Sequence, residues 1–306
     1  MRALEFEEQH LNAEAKTLAE WIVRTASRLH AAGVFFGHGT QNASDEAAWL
    51  VASAAKIAPD DLSHSLESVA SDKDVRRILT LTEKRINTRM PLAYLLGEAW
   101  LSGHRFIVDK RVIIPRSFIA ELLADGLRPW CRSPRSVIRV LDLCTGSGCL
   151  AVLAALAFPR ARIDAVDTSR PALTVAQKNV RAYGLENRIS LIKSDLFKRV
   201  PMQEYDLIIS NPPYVKAHSM RKLPPEYRCE PEIALAGGRD GLDLVERIIR
   251  EADKHLKATG HLVLEIGHNR TAFERKYPRL PVIWLTTSSE SDAVLWVAAK
   301  QLRGTK

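Results

Sequence analysis

Cysteine is scarce in this chain of 306 residues, and the four present, Cys131, Cys144, Cys149 and Cys229, form no Cys-x-x-Cys pair. The nine histidines show no His-x-x-x-His spacing, so neither a zinc site nor a disulfide framework is indicated, and the cysteines read as reduced thiols in a protein without a metal. A long apolar run is missing too. The longest uncharged stretch, Leu143 to Pro159, falls short of the ~20 residues of a membrane helix and is interrupted by Gly146, Ser147 and Gly148. The acidic start, with Glu5, Glu7 and Glu8, lacks the basic-then-apolar pattern of a secretory signal, so a cytoplasmic location without a membrane partner is expected. Only 15 Gly and 15 Pro, beside 46% hydrophobic and 26% charged residues, exclude collagen-like, disordered and coiled-coil chains.

What is present is enough apolar surface for a sizeable core, in a length that suggests two domains of unequal size. Charge is unevenly spread. Residues 1–110 hold 13 Lys+Arg against 15 Asp+Glu, whereas residues 111–306 hold 31 against 21, so the basic surplus lies in the C-terminal part. Such a surface attracts polyanions such as RNA or a ribosomal particle, although a solvated face that aids solubility explains the surplus equally well.

The first ninety or so residues read as helical. Leu18, Ile22 and Leu29 share one stripe, Ser44 stands as an N-cap before Trp49 and Leu50, and Val75, Ile78, Leu79, Thr82 and Ile86 share another. After Pro91 the pattern turns β-rich, with runs Arg105 to Val108 and Val112 to Ile114 around the polar turn Asp109-Lys110-Arg111. The predicted organisation is a helical domain over 1–95, a β-hairpin linker over 96–114 and an α/β domain over 115–306.

In that last domain strand and helix alternate: strand Val137 to Leu143, helix Cys149 to Phe158, strand Arg162 to Val166, helix Pro171 to Tyr183, then strands Ile189 to Ile192, Leu207 to Ser210 and Leu262 to Ile266. Val245, Ile248, Ile249, Ala252 and Leu256 form a helical stripe ending near Gly260, and Val282 to Leu285 and Ala293 to Ala298 follow without an intervening helix. The expected fold is a mostly parallel, Rossmann-like sheet covered on both faces, with an antiparallel C-terminal edge.

The segment Asp142-Leu143-Cys144-Thr145-Gly146-Ser147-Gly148-Cys149 is a strand end, a glycine turn and a helix start. Its glycines let the backbone approach a nucleotide closely, and Asp167, ending the next strand, stands where a carboxylate accepts bonds from both ribose hydroxyls. The turn alone does not separate NAD from S-adenosylmethionine. Asp142 favours the latter, because a carboxylate facing the turn suits an ammonium group, whereas beside a pyrophosphate it costs about 3 kcal/mol per unit charge at ~5 Å and an effective dielectric of ~20. Asp195, followed by Leu196, is a candidate acceptor for the adenine amino group, with a helix cap as its other reading.

The fourth strand runs into Asn211-Pro212-Pro213-Tyr214, the most specific signal in the chain. Two successive prolines supply no N–H and keep the backbone extended, which leaves the Pro212 carbonyl free to accept. With the Asn211 side-chain oxygen it offers two acceptors to one NH2 group, and Tyr214 offers a flat wall for a planar amide or base. An amide nitrogen is a poor nucleophile because its lone pair is delocalised. Fixed acceptors orient it and stabilise the positive charge that develops as it attacks a methyl group, and no strong general base is required.

These motifs, with Glu230-Pro231-Glu232-Ile233-Ala234-Leu235-Ala236-Gly237-Gly238-Arg239-Asp240-Gly241-Leu242 downstream, resemble the HemK-type protein-glutamine methyltransferases over nearly the whole chain. Ala99-Trp100-Leu101-Ser102-Gly103-His104-Arg105-Phe106, Ile114-Pro115-Arg116-Ser117 and Leu223-Pro224-Pro225-Glu226-Tyr227-Arg228 resemble the PrmB branch, which acts on the third large-subunit ribosomal protein. Release-factor enzymes usually continue Pro-Arg-Pro and then an acidic residue, from which Ser117 and Phe118 depart. The resemblance implies S-adenosylmethionine held by Asp142, Cys144, Thr145, Gly146, Ser147, Gly148, Asp167, Asp195, Leu196 and Asn211, and a glutamine amide held by Asn211, Pro212, Pro213 and Tyr214. It implies a ribosomal protein as partner, free or in an assembling particle.

Phe106 is a candidate second wall of that pocket, and Arg116 a candidate ligand for substrate backbone or cofactor carboxylate, with packing and an ion pair as their other readings. Leu223 to Gly241, Pro- and Gly-rich, is either a lid or a long connection. Alternatives stay open: a release-factor enzyme, a nucleic-acid methyltransferase acting on an exocyclic amine, or an assembly factor without turnover. The N-terminal helices are expected to recognise the protein substrate.

Overall fold

Thr17 opens the first helix with a reciprocal cap: its hydroxyl accepts the Glu20 N–H, and the Glu20 carboxylate accepts the Thr17 N–H at 2.8 Å. The computed structural model describes residues 16–131, 133–287 and 292–303, so Glu5, Glu7 and Glu8 lie outside the described residues. Packing divides the chain into two units, Met1–Leu96 and Gly97–Lys306.

The first unit is helical: α1 (Leu18–Ala31), α2 (Ala43–Ala55), α3 (Leu62–Ser65), α4 (Asp72–Thr88) and α5 (Leu92–Leu96). Leu18, Trp21, Leu50, Val51, Val75, Ile78 and Leu92 form its core, with Ile22 and Leu79 at the rim. The cap of α2 is Asn42, whose side chain accepts the Asp45 N–H at 2.9 Å, rather than Ser44, which lies inside the helix. Between helices the unit buries charge. Arg85, wholly buried on α4, meets Glu46 of α2 at 2.7 Å and donates to the Phe35 carbonyl at 2.8 Å.

In the second unit a hairpin of β1 (Glu98–Leu101) and β2 (His104–Ile107) turns at Ser102-Gly103. The turn predicted at Asp109-Lys110-Arg111 is instead a loop, closed by Arg111 on the Asp109 carboxylate, and Val112 to Ile114 is not a strand. Its apolar alternation reflects burial of Val112 and Ile114 rather than pairing.

A seven-stranded sheet follows, built from β3 (Arg139–Leu143), β4 (Arg162–Asp167), β5 (Ile189–Lys193), β6 (Tyr205–Ser210), β7 (Leu256–Glu265), β8 (Ile283–Leu285) and β9 (Val294–Ala298), in the order β5-β4-β3-β6-β7-β9-β8. The first five strands in this order are parallel, and β9 runs antiparallel to both neighbours, inserted between β7 and the outermost strand β8. Helices α6 (Phe118–Ala124), α7 (Cys149–Ala157) and α8 (Arg170–Ala182) accompany one apolar cluster, and α9 (Ala217–Met220) lies in the long loop after β6. Helix α10 (Asp243–Glu251), α11 (Arg270–Lys276) and α12 (Ala299–Arg303) cover the other face.

The stripe predicted to run helical to Gly260 breaks after α10: a 3₁₀ turn, Ala252–Lys254, leads into β7, which holds both Leu256 and Gly260. Gly260 sits where the β6–β7 register shifts, and a Cβ there would stand 2.8 Å from the Tyr205 carbonyl. Among the described residues no helix is long and apolar enough to cross a membrane.

Removing one member of a buried pair leaves the other charge unpaired, which typically costs ~3–5 kcal/mol. Glu46→Ala is therefore expected to destabilise the helical unit by about that amount, read as a shift of its denaturant midpoint; a shift below ~1 kcal/mol would contradict the burial of this pair.

Candidate active site

The strand order reverses at β3, which has β4 on one side and β6 on the other, and ligands of open α/β sheets bind beyond the carboxyl ends of strands at such a point. Leu143 pairs with Ser210, and the Ser210 hydroxyl donates to the Leu143 carbonyl at 2.8 Å. Both strands end at that level. With neighbouring strands ~4.8 Å apart, the glycine turn beginning at Cys144 and the corner beginning at Asn211 leave the sheet side by side.

The turn is held from several directions. Cys144, Gly146 and Gly148 have φ of 59°, 55° and 79°, and the Thr145 N–H donates to the Val166 carbonyl of β4 at 2.9 Å. A Cβ on Gly148 would meet the Ala176 Cβ of α8 at 3.0 Å, so this glycine also permits close helix packing. Asp167 accepts the Gly146 N–H at 2.9 Å and the Ser169 N–H at 2.8 Å, one on each carboxylate oxygen. Ser147 is buried, and its carbonyl accepts from Asn179 of α8. Asn179 also exchanges two bonds with the backbone of Ile107, which ties the hairpin to the turn.

Asp142 is fully buried under this turn. One carboxylate oxygen accepts the Thr145 hydroxyl at 2.5 Å, while among the described residues the other has no hydrogen-bond partner. Burial pushes its carboxyl up to about 7, against the Thr145 bond and with the help of the Asp167 charge. Burial likewise pushes up the Cys144 and Cys149 thiols, so neither is an activated thiolate. Asp195 is engaged by Arg247 at 2.7 Å and Lys198 at 2.8 Å, which hold its carboxyl below the usual range; Lys198 stands three residues on, whereas Arg247 comes from α10 and is not visible as a partner from sequence spacing. Leu196 is buried with φ of 48°.

At the acceptor corner the Asn211 amide donates its NH2 to the Arg116 carbonyl at 3.1 Å, which turns the side-chain oxygen the other way. Among the described residues no hydrogen bond ends on that oxygen or on the Pro212 carbonyl. Asn269 donates to the Tyr214 carbonyl at 2.9 Å. The Tyr214 ring lies against Gly267, where a Cβ would come within 2.5 Å of it, and the returning loop passes so close that a Cβ on Gly237 would meet the Tyr214 Cα at 2.5 Å.

The Tyr214 hydroxyl leads to Glu265, the last residue of β7 and almost wholly buried. It donates to one carboxylate oxygen at 3.3 Å, while the other accepts the Ser117 hydroxyl at 2.6 Å and the Phe118 N–H at 3.0 Å. Burial raises the Glu265 carboxyl to about 7 despite these donors, and raises the Tyr214 phenol as well.

Two expectations need correction. Phe106 does not wall a pocket: it is wholly buried in the core, packed on Tyr183 with ring centres 5.6 Å apart. Arg116 does not present a free guanidinium, since it forms a two-pronged pair with Glu230 at 2.7 and 2.6 Å over the Tyr227 ring, and Glu230 also accepts the Ile114 N–H. That pair ties down the Leu223–Gly241 segment, which carries two short 3₁₀ turns and a bridge from Val215 to Ala236. Sequence reading passed over Asn179, Glu265 and Asn269 and quoted Glu230 within the downstream motif without a role; Glu265 carried a local signal, as an acid within the last apolar strand run before Gly267. Asp240, Asp243 and Glu246 also converge, with Lys276 paired to Asp240 and Glu246.

The Glu265 carboxyl ionises near 4.5 ordinarily and near 7 here, so it is harder to ionise folded than unfolded. Its contribution to stability is complete below about 4.5 and lost as pH rises through about 7, a difference of about 3 kcal/mol at ~1.4 kcal/mol per pKa unit. Glu265→Gln keeps the shape and the acceptor oxygen without the charge. The variant should therefore gain stability relative to the parent between pH 5 and pH 8 in unfolding titrations, on the order of that value; a pH-independent difference would contradict the burial.

The Methyltransferase small domain family matches residues 121–223. The ribosomal protein uL3 glutamine methyltransferase of Bordetella pertussis is 53% identical over 289 residues, covering 94% of this chain and 97% of its own. Those of Burkholderia pseudomallei and Neisseria meningitidis serogroup A are each 49% identical, covering 94% and 95% of this chain and 96% of their own lengths. Near-complete coverage in both directions includes the helical unit as well as the sheet, and the chain belongs to the ribosomal protein uL3 glutamine methyltransferase family.

Proposed function

We propose that this enzyme transfers a methyl group from S-adenosylmethionine to the side-chain amide nitrogen of one glutamine in ribosomal protein uL3, in the cytoplasm. The observation that carries this reading is the pair of acceptors at Asn211 and Pro212, unfilled among the described residues and fixed by the Asn211–Arg116 bond. Two acceptors on a donor-free backbone match the two hydrogens of a primary amide. Tyr214 flanks them, braced by Gly267 and Glu265, and Pro213 keeps the corner extended.

The cofactor reading rests on this chain's own groups. A buried carboxylate oxygen without a partner is costly, by ~1–3 kcal/mol or more for a charged group, and the open oxygen of Asp142 fits the ammonium of a methionine moiety. Asp167 fits ribose hydroxyls, and the backbone from Cys144 to Gly148 fits a nucleoside at close range. Asp195, half-exposed beside its two cations, and the apolar Leu196 next to it are the groups proposed to meet adenine. When bound, this sulfonium compound supplies an electrophilic methyl group. Asn211 and Pro212 aim the nitrogen and bear the charge that develops on it, so Glu265, buried and tied up by three donors, need not act as a base.

The names of the relatives favour uL3 over a release factor or a nucleic-acid base as acceptor. The helical unit, Met1–Leu96, is proposed to recognise that protein. Incubation of the enzyme with purified uL3 and isotopically labelled S-adenosylmethionine should add one methyl group to one glutamine, located by tandem mass spectrometry of the digest. Label on a release factor, or label released by ribonuclease, would overturn the acceptor assignment. Asn211→Ala is expected to lower single-turnover methylation about 10²–10³-fold with cofactor affinity within a few-fold of the parent; near-normal turnover would remove Asn211 from its role.

A further inference from the structure

The loop that returns to the acceptor corner carries an unbalanced surface charge. Lys216, Arg221, Lys222, Arg228 and Arg239 all lie between residues 215 and 241, and Arg221, Lys222, Arg228 and Arg239 are exposed. Among the described residues none of these five takes part in an ion pair, in contrast to Arg116, Arg247 and Lys276 around them. The acids of the same stretch do not offset them: Glu226 and Glu230 are buried, Glu230 holds Arg116, Asp240 faces Lys276, and Glu232 alone is exposed.

The backbone ties this strip to the corner. Val215 donates to the Leu235 carbonyl at 2.9 Å, Gly237 to the Val215 carbonyl at 2.8 Å and Ala217 to the Gly238 carbonyl at 2.9 Å, so Lys216 and Arg239 flank the chain immediately beyond Tyr214. Gly237, packed on the Tyr214 backbone, leaves no space between loop and corner. Lys216 and Arg239 thus border the place where an acceptor glutamine would enter, and Arg221, Lys222 and Arg228 lie on the same returning loop.

We propose that the strip formed by Lys216, Arg221, Lys222, Arg228 and Arg239 is a docking surface for the phosphate backbone of RNA that carries the acceptor protein. The proposal rests on the uL3 reading of the corner and names a second component of the substrate. A protein that binds RNA is itself basic, and a cationic strip beside the corner repels it; bound to RNA, the same protein arrives with an excess of phosphate charge, which the strip attracts. Lysine and arginine on an exposed loop contact phosphates without reading bases, so the surface is expected to favour charge density over sequence.

The test uses the full chain and a fluorescein-labelled RNA hairpin. Affinity is measured by anisotropy across a salt series for the parent, for Arg221→Glu/Lys222→Glu/Arg239→Glu, and for a control with the same change of charge, Arg160→Glu/Arg162→Glu/Arg181→Glu, at exposed positions outside the loop. The strip variant should lose at least about tenfold in affinity at low salt and flatten the slope of log affinity against log salt by about 3, with the control near the parent. Methylation of free uL3 by the strip variant should equal or exceed that of the parent, whereas methylation of uL3 bound to its ribosomal RNA fragment should fall. Equal losses in both variants, no RNA binding by the parent, or tighter binding of polyglutamate than of the hairpin would overturn the proposal. If neither free nor RNA-bound uL3 is methylated by the parent, the acceptor reading fails while the RNA measurement still decides the strip.

Discussion

Parallel pairing of β3 with β6 is the constraint on which the rest depends. It stops both strands at Leu143 and Ser210, and the Ser210 hydroxyl locks the two ends together. Everything that follows each strand then emerges on one side of the sheet. The glycine turn and the Asn-Pro-Pro-Tyr corner, 63 residues apart in number between Gly148 and Asn211, become neighbours without either needing to bend toward the other. The helices that cover both faces keep this pairing dry, since the strands are buried almost throughout.

Around that junction the chain spends stability on buried carboxylates. Among the described residues Asp142 lies under the turn with one oxygen unmatched, and Glu265 stands behind Tyr214 with the Ser117, Phe118 and Tyr214 donors on it and no cation paired with it. Both are raised to about 7 because burial outweighs their hydrogen bonds. Glu230, by contrast, has Arg116. The short strap from Ile114 to Phe118 connects these features: its backbone and side chains reach Glu230, Asn211 and Glu265 in succession. Two elements far apart in the chain are therefore held at fixed distance by five consecutive residues, which is how the corner keeps its shape without regular secondary structure.

Much of this was legible beforehand. Period-2 and period-3.6 patterns located the strands and most helices, and the two motifs located the ends of β3 and β6, because glycine and proline constrain the backbone by their own covalent structure. Boundaries erred where burial and pairing diverge. Val112 and Ile114 alternate like a strand because both are buried, yet they lie in a loop and belong to no strand of the sheet, and Leu256 continued a helical stripe although the chain had already turned into β7. Phe106 and Arg116 stood beside the right motifs, but a core ring and a paired guanidinium look the same in sequence as a pocket wall and a free cation.

By itself the sequence determined the order of strands and helices, the turn that needs positive φ and the corner that lacks N–H groups, since these follow from local sterics and from the spacing of apolar residues. Only the tertiary structure decided the partners: Asn179 beneath the turn, Glu265 behind Tyr214, Glu230 on Arg116 and the cations on Asp195. Apart from Lys198, three positions from Asp195, each such partner is separated from its mate by tens of positions. The existence of such a bond depends on which strand ends lie together, a fact of sheet topology that no local preference encodes.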